Sequence, residues 1–147
     1  MTDASRRPEE LLSAVDLFAG LSNRDAKKLV ARGREVTHVK GKRVTGEGDP
    51  GYGFHLILSG RATVSQDSRT IRTLGEGDYF GEISMIDGKP RSATVTVDED
   101  LRALAIDHRV FETLLDDRPE VARGMLKILC SRLREAEARA GSAATPG

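Results

Sequence analysis

Only one cysteine, Cys130, occurs in the 147 residues, so no internal disulfide can form and a cross-linked secreted scaffold is excluded. No sign of charge dominates either: Lys plus Arg and Asp plus Glu both number 23. A general attraction to nucleic acid or an anionic membrane is therefore not expected, and any anion site must be local. No stretch approaches the roughly 18 uninterrupted apolar residues that span a bilayer, and the opening Met1 to Leu12 lacks the apolar centre of a signal peptide. These absences lead to an expectation of cytoplasmic residence with no membrane partner. The three histidines, His38, His55 and His108, stand far apart, without the paired spacing of a metal site. A metal enzyme on a small barrel needs clustered His and Glu ligands on adjacent strands. No metal ligand, catalytic residue or cofactor is expected, and no internal repeat is visible.

What is present fits one domain, since a single core takes roughly 100 to 150 residues. The sequence predicts a flexible stretch over 1–10, a globular domain over 11–140, and a small, polar, disordered tail over 141–147. Leu11, Leu12, Val15, Leu17 and Phe18 form a loosely helical pattern stopped by Gly20. Ser22 is placed to cap a second helix, with Asp25 three residues on, and that helix is expected to end near Gly33. From Glu35 to Ile106 the texture changes to short β-branched and apolar runs punctuated by glycine, the pattern of many short strands. Phe54 to Ser59 reads as a strand and Ser59-Gly60 as a tight turn to Ala62–Val64, which predicts a hairpin. Further strands are predicted at Thr70–Leu74, Ala93–Val97 and Leu101–Ile106. Such strands imply a barrel or roll.

Helical periodicity returns after Asp107, with Val110, Phe111, Leu114 and Leu115 on one face and Pro119 placed to open the next helix. In that last helix, predicted over 120–138, Val121, Met125, Ile128, Leu129, Arg132 and Leu133 recur at spacings of three and four. Cys130 is expected as a small buried apolar side chain there.

The most informative stretch is Phe80 to Val95, FGEISMIDGKPRSATV. Gly81 lets the backbone approach a ligand closely, and Glu82-Ile83-Ser84-Met85 suits one helical turn with free N–H groups at its start. Such a turn favours an anion. Arg91 follows, a fork-shaped cation that pairs two-pronged with a phosphate, held by Pro90 and followed by the hydroxyl donor Ser92. Glu82 would repel a phosphate at close range, so its useful role is to accept a hydrogen bond from a sugar hydroxyl. Together these groups fit a sugar phosphate.

In these residues the sequence resembles the cyclic nucleotide-binding domain family of bacterial catabolite activators, kinase regulatory subunits and nucleotide-gated channels. Phe80-Gly81-Glu82, the small or apolar Ile83 to Ile86, the short loop Asp87 to Pro90 and Arg91-Ser92-Ala93-Thr94-Val95 match its phosphate-binding cassette. The resemblance extends to Leu17-Phe18-Ala19-Gly20-Leu21, Phe54–Gly60 and both terminal helices, over residues 12–138. It implies an α+β fold: an antiparallel, jelly-roll-like β-roll (a double-stranded β-helix) flanked by N-terminal helices and two C-terminal helices.

The resemblance also implies that Glu82 holds the ribose 2′-hydroxyl and Arg91 the cyclic phosphate. Backbone around Gly81, Ile83, Ser84 and Ala93 completes the cradle, and Ser92 adds a hydroxyl. Arg132 falls where the bacterial activator's last helix presents an arginine towards the nucleotide, whereas Ala136 and Glu137 replace hydroxyl residues that touch adenine there. Ser84 stands where alanine is more usual. The implied ligand is cAMP, with cGMP as the alternative, and the implied partner is another protein or a second copy meeting the last helix. Seven residues follow Ala140, too few for a helix-turn-helix, so the expectation is a stand-alone sensor or regulatory module that does not itself bind DNA and signals through movement of its last helix. The competing reading is a scaffold or dimerisation domain that keeps the fold and binds nothing; an intact Glu82 and Arg91 argue against it.

Overall fold

The chain runs through α1 (Pro8–Ser13), a 3-10 turn (Asp16–Phe18), α2 (Asn23–Arg32), β1 (Arg34–His38), β2 (Arg43–Thr45), β3 (Phe54–Gln66), β4 (Arg69–Leu74), β5 (Tyr79–Phe80), α3 (Glu82–Asp87), β6 (Thr94–Ile106), α4 (His108–Asp117) and α5 (Pro119–Ala144). It is a computed structural model that describes residues 7–45, 53–89 and 93–144. The cassette residues Pro90, Arg91 and Ser92 lie outside the described residues.

Local chemistry explains the helix boundaries. The Ser22 hydroxyl accepts the Asp25 N–H at 3.1 Å and Gly33 closes α2, the expected cap and stop. The apolar residues before it divide between α1 and the 3-10 turn, and Leu11, Leu12, Val15, Leu17 and Phe18 are all buried. Asp107 caps α4 by accepting from the Arg109 N–H at 2.8 Å. Pro119 opens α5, where its missing N–H costs nothing.

All the strand pairings are antiparallel. β6 pairs with β1, β2 and β3, and β3 also holds β4 and β5. This is the β-roll, with helices before and after it.

Two strand predictions fail for related reasons. Ser59-Gly60 is not a hairpin turn: β3 continues through it for 13 residues. Gly60 has φ 98°, and a Cβ there would lie 2.3 Å from the Asp100 carbonyl oxygen. The glycine therefore marks a bend where β3 presses against β6, with register shifts on both sides. The chain reverses later, at Asp67 and Ser68, whose φ values of 53° and 63° suit a two-residue hairpin loop. Likewise Ala93–Val97 and Leu101–Ile106 belong to one strand, β6. The acidic Asp98-Glu99-Asp100 between them stays in the strand with its side chains exposed. There Asp98 accepts from the Thr63 hydroxyl at 2.6 Å and Asp100 from the Lys40 N–H at 2.8 Å.

Two hydrophobic clusters result. One is built by strands alone, from Ile57, Ala62, Val64, Leu74, Phe80, Val95, Val97 and Leu101. The other joins the sheet to the helices through Phe18, Phe54, Leu104, Ile106, Phe111, Val121 and Met125. Phe18 lies edge-on to Phe54 and Phe111, with centroids at 5.3 and 6.5 Å. Arg118 at the α4–α5 junction pairs with Asp25 of α2 at 3.4 Å.

Last, α5 runs to Ala144, beyond its predicted end at 138 and into the predicted tail. Cys130 is exposed on it, contrary to expectation: α5 buries Val121 and Met125 but is exposed throughout from Leu133 to Gly141.

Candidate functional site

The cassette starts from a fixed strand. Phe80 is buried in the strand cluster and its ring stacks on His55 at 4.8 Å. Gly81 then turns the chain with φ 85°, a left-handed conformation that favours glycine, and becomes the N-cap of α3. The first N–H groups of this six-residue helix, on Glu82, Ile83 and Ser84, have no acceptor within the helix by construction. Met85 is fully buried and Ser84 nearly so, while Ile83 is exposed. The far end of α3 is held by His108, whose Nδ1–H donates to the Met85 carbonyl. The carbonyl can only accept, which fixes the proton on Nδ1. Nε2 of the same ring faces Glu112 at 3.5 Å. Ala93, half-buried against the strand cluster, leads into β6.

Glu82 sits in the first turn of α3 with only 15% of its side chain exposed. Its Oε2 accepts from Arg132 Nη1 at 3.2 Å, across 50 positions of sequence. Two of the predicted site residues thus meet, one from the cassette and one from the last helix. The guanidinium has two further partners: Nη2 donates to Asp16 Oδ1 at 2.7 Å and to the Tyr79 hydroxyl at 2.5 Å. The Tyr79 hydroxyl in turn donates to Asp16 Oδ1 at 3.0 Å, and the Leu17 N–H reaches the same oxygen at 2.8 Å. Tyr79 is steadied by stacking on the buried Phe54 at 5.5 Å.

The charges in this network support one another. Partial burial alone would raise the Asp16 pKa, but the hydrogen bonds from Arg132 and Tyr79 and the positive charge beside it hold the carboxyl below its ordinary value. Burial, then the hydrogen bond to Asp16, pushes the Tyr79 hydroxyl up to about 12. Arg132 is stabilised in its charged form, because Asp16, Tyr79 and Glu82 outweigh the effect of burial.

Asp16 and Tyr79 were not singled out in the sequence. Tyr79 adjoins the motif and could have been, whereas Asp16 meets Arg132 across 116 positions, a contact that no local pattern signals. Arg91 and Ser92, the sequence-predicted phosphate groups, lie outside the described residues. Among the described residues no group of His, Cys, Asp and Glu could hold a metal ion, and no helix is long and apolar enough to cross a membrane.

Comparison with known proteins identifies the family of the chain. The family described as the cyclic nucleotide-binding domain matches residues 35–118. The chain is 30% identical over 131 residues to the CRP-like cAMP-activated global transcriptional regulator of Mycobacterium tuberculosis, covering 86% of this chain and 58% of that protein. It is 35% identical over 116 residues to a cAMP-dependent protein kinase regulatory subunit of Eremothecium gossypii, covering 78% of this chain and 25% of that one. This chain thus spans less than two thirds of each of these relatives. In structure it resembles the N-terminal domain of a transcriptional regulator from Streptomyces coelicolor A3(2), with TM-score 0.78 and 30% identity over 88% of this chain and 94% of that one. It also resembles the Thermus thermophilus catabolite activator protein, with TM-score 0.77 and 29% identity over 87% and 62% of the two chains. Sharing both the β-roll and a sequence match over more than half its length, the chain belongs to the cyclic nucleotide-binding domain family.

Proposed function

We propose that the chain binds one cyclic nucleotide, cAMP in preference to cGMP, as a regulatory and not a catalytic module. In this reading Glu82 accepts a hydrogen bond from the ribose 2′-hydroxyl and Arg91 pairs with the cyclic phosphate. Ser92 adds a hydroxyl, and backbone at Gly81, Ile83, Ser84 and Ala93 completes the cradle. The observation that carries the reading is the placement of Glu82. A carboxylate that serves only as a surface ion pair has no need of a left-handed glycine, a helical turn anchored by the buried Ser84 and Met85, and an arginine from the last helix. With Oε2 engaged by Arg132, Oε1 is the oxygen assigned to the sugar. The preference for cAMP draws on the two relatives whose names tie them to it.

Calorimetry with cAMP, cGMP and their linear 5′-monophosphates tests this reading. One cyclic nucleotide per chain, with cAMP tighter than cGMP and the linear forms much weaker, is the expected result. If saturating cAMP and cGMP give no heat and leave the melting temperature unmoved, the fold serves as a scaffold.

A second role is favoured by the exposed leucines of α5. Leu126 and Leu133 are 61% and 59% exposed, and with Leu129 they follow the three–four spacing of a helix pair. A second copy of the chain is the proposed partner there. Leu126→Lys with Leu133→Lys should turn a sedimenting dimer into a monomer; a parent chain that is monomeric at high concentration would remove this role.

A further inference from the structure

The polar network around Arg132 reaches beyond the cassette. Its guanidinium is held by three acceptors on three separate elements: Asp16 on the 3-10 turn, Tyr79 on β5 and Glu82 on α3. A single exposed pair of this kind would contribute little. Here the groups constrain one another, because Asp16 Oδ1 collects donors from Arg132, Tyr79 and the Leu17 backbone. The Tyr79 hydroxyl both accepts from Arg132 and donates to Asp16, on a ring already fixed against Phe54. Such chains of bonds polarise and orient their members. Without them Arg132 would be a long side chain with many rotamers, meeting Glu82 through a single nitrogen.

We propose that Asp16 and Tyr79 are positioning residues for the sugar contact: they fix the Arg132 guanidinium, which fixes the Glu82 carboxylate and leaves its second oxygen aimed at the ribose. This rests on the reading of Glu82 given above. It adds that nucleotide affinity is set in part from the N-terminal turn, which lies outside the cassette. It also follows that anything displacing the 3-10 turn weakens recognition of the ribose hydroxyl and spares recognition of the phosphate.

The test pairs Asp16→Asn and Tyr79→Phe with two ligands, cAMP and its 2′-deoxy analogue. Tyr79→Phe keeps the ring stack and removes only the hydroxyl, so it carries the test should Asp16→Asn fold poorly. Each variant should weaken cAMP binding by roughly 3- to 30-fold, the usual range for residues that act through another. Neither should weaken the 2′-deoxy ligand by more than about twofold, since that ligand offers Glu82 nothing to hold. An equal loss for both ligands, or no loss for either, overturns the proposal. Glu82→Ala is the reference: if it penalises both ligands alike, the sugar reading itself fails. If instead Glu82→Ala abolishes the discrimination and Asp16→Asn preserves it, only the positioning role fails. A ligand-free readout separates the two further. The Arg132 side-chain N–H resonances should show hindered guanidinium rotation in the parent and freer rotation in Asp16→Asn; identical spectra contradict the relay.

Discussion

The strand-built end of the roll and its helix-covered end are finished to different degrees. At the strand end the apolar residues close on one another: Ile57, Ala62, Val97 and Leu101 are each at most 1% exposed. At the helical end, α5 buries Val121 and Met125 but leaves Leu126 and Leu133 mostly in solvent. A fully packed core resists rearrangement, whereas an element held by few buried contacts opens at low free energy. We propose that this difference divides the roles: the roll fixes the geometry of the site, and α5, joined to that site by Arg132, is the part free to report on it.

The largest expected effect breaks the comparison at the strand end. Leu101→Ala should destabilise the fold by about 2–5 kcal/mol through cavity formation, while Glu135→Ala, exposed on α5 and off the Leu126–Leu129–Leu133 stripe, should stay within about 0.5 kcal/mol. Urea unfolding of both variants measures this, and equal losses would mean that α5 is as firmly packed as the roll.

Next in size is the cassette. Truncating one partner of a hydrogen-bonded charge pair in a complex costs about 2–5 kcal/mol, so under the proposed phosphate role Arg91→Ala should weaken cAMP binding by roughly 30-fold or more. Stability should be nearly unchanged. A folded Arg91→Ala chain that binds as tightly as the parent would show that the phosphate is held elsewhere.

The smallest effect concerns pH. Asp16 is depressed, so its stabilising contribution is complete above the ordinary carboxylate pKa of about 3.9 and disappears as pH falls through its lower folded value. Tyr79 is raised, so its contribution is complete below the ordinary tyrosine value of about 10 and declines as pH rises towards about 12. Tyr79→Phe should therefore flatten the alkaline part of the parent's stability profile. An unchanged slope there would remove Tyr79 from the network.

The two ends also differed in how well the sequence described them. Helix boundaries could be read directly, because Ser22, Gly33 and Pro119 act within a few residues of themselves. The Gly81 turn and the short helix after it were legible for the same reason, being one continuous stretch. Gly60 was misread because a glycine that ends a strand and one that lets two strands touch look identical until Asp100 is placed beside it. The acidic Asp98-Glu99-Asp100 looked like a loop because nothing local shows that all three side chains face solvent. Cys130 was placed inside because the helical period finds an apolar stripe without showing which part of it meets the roll. The Asp16–Tyr79–Arg132 network was hidden for the most basic reason, since its members come from the beginning, middle and end of the chain.

The division of roles is tested most directly by hydrogen exchange of the parent chain with and without saturating cAMP. Protection should rise in α3 and change along α5 from 119 to 138, while β3 and β6 at the strand end, already slow, stay as they were. A ligand shifts α5 only if it contacts the two positions of that helix differently, and Arg132 beside Glu82 is the contact that would do so. Protection that rises in the cassette while α5 exchanges identically in both states would contradict the account.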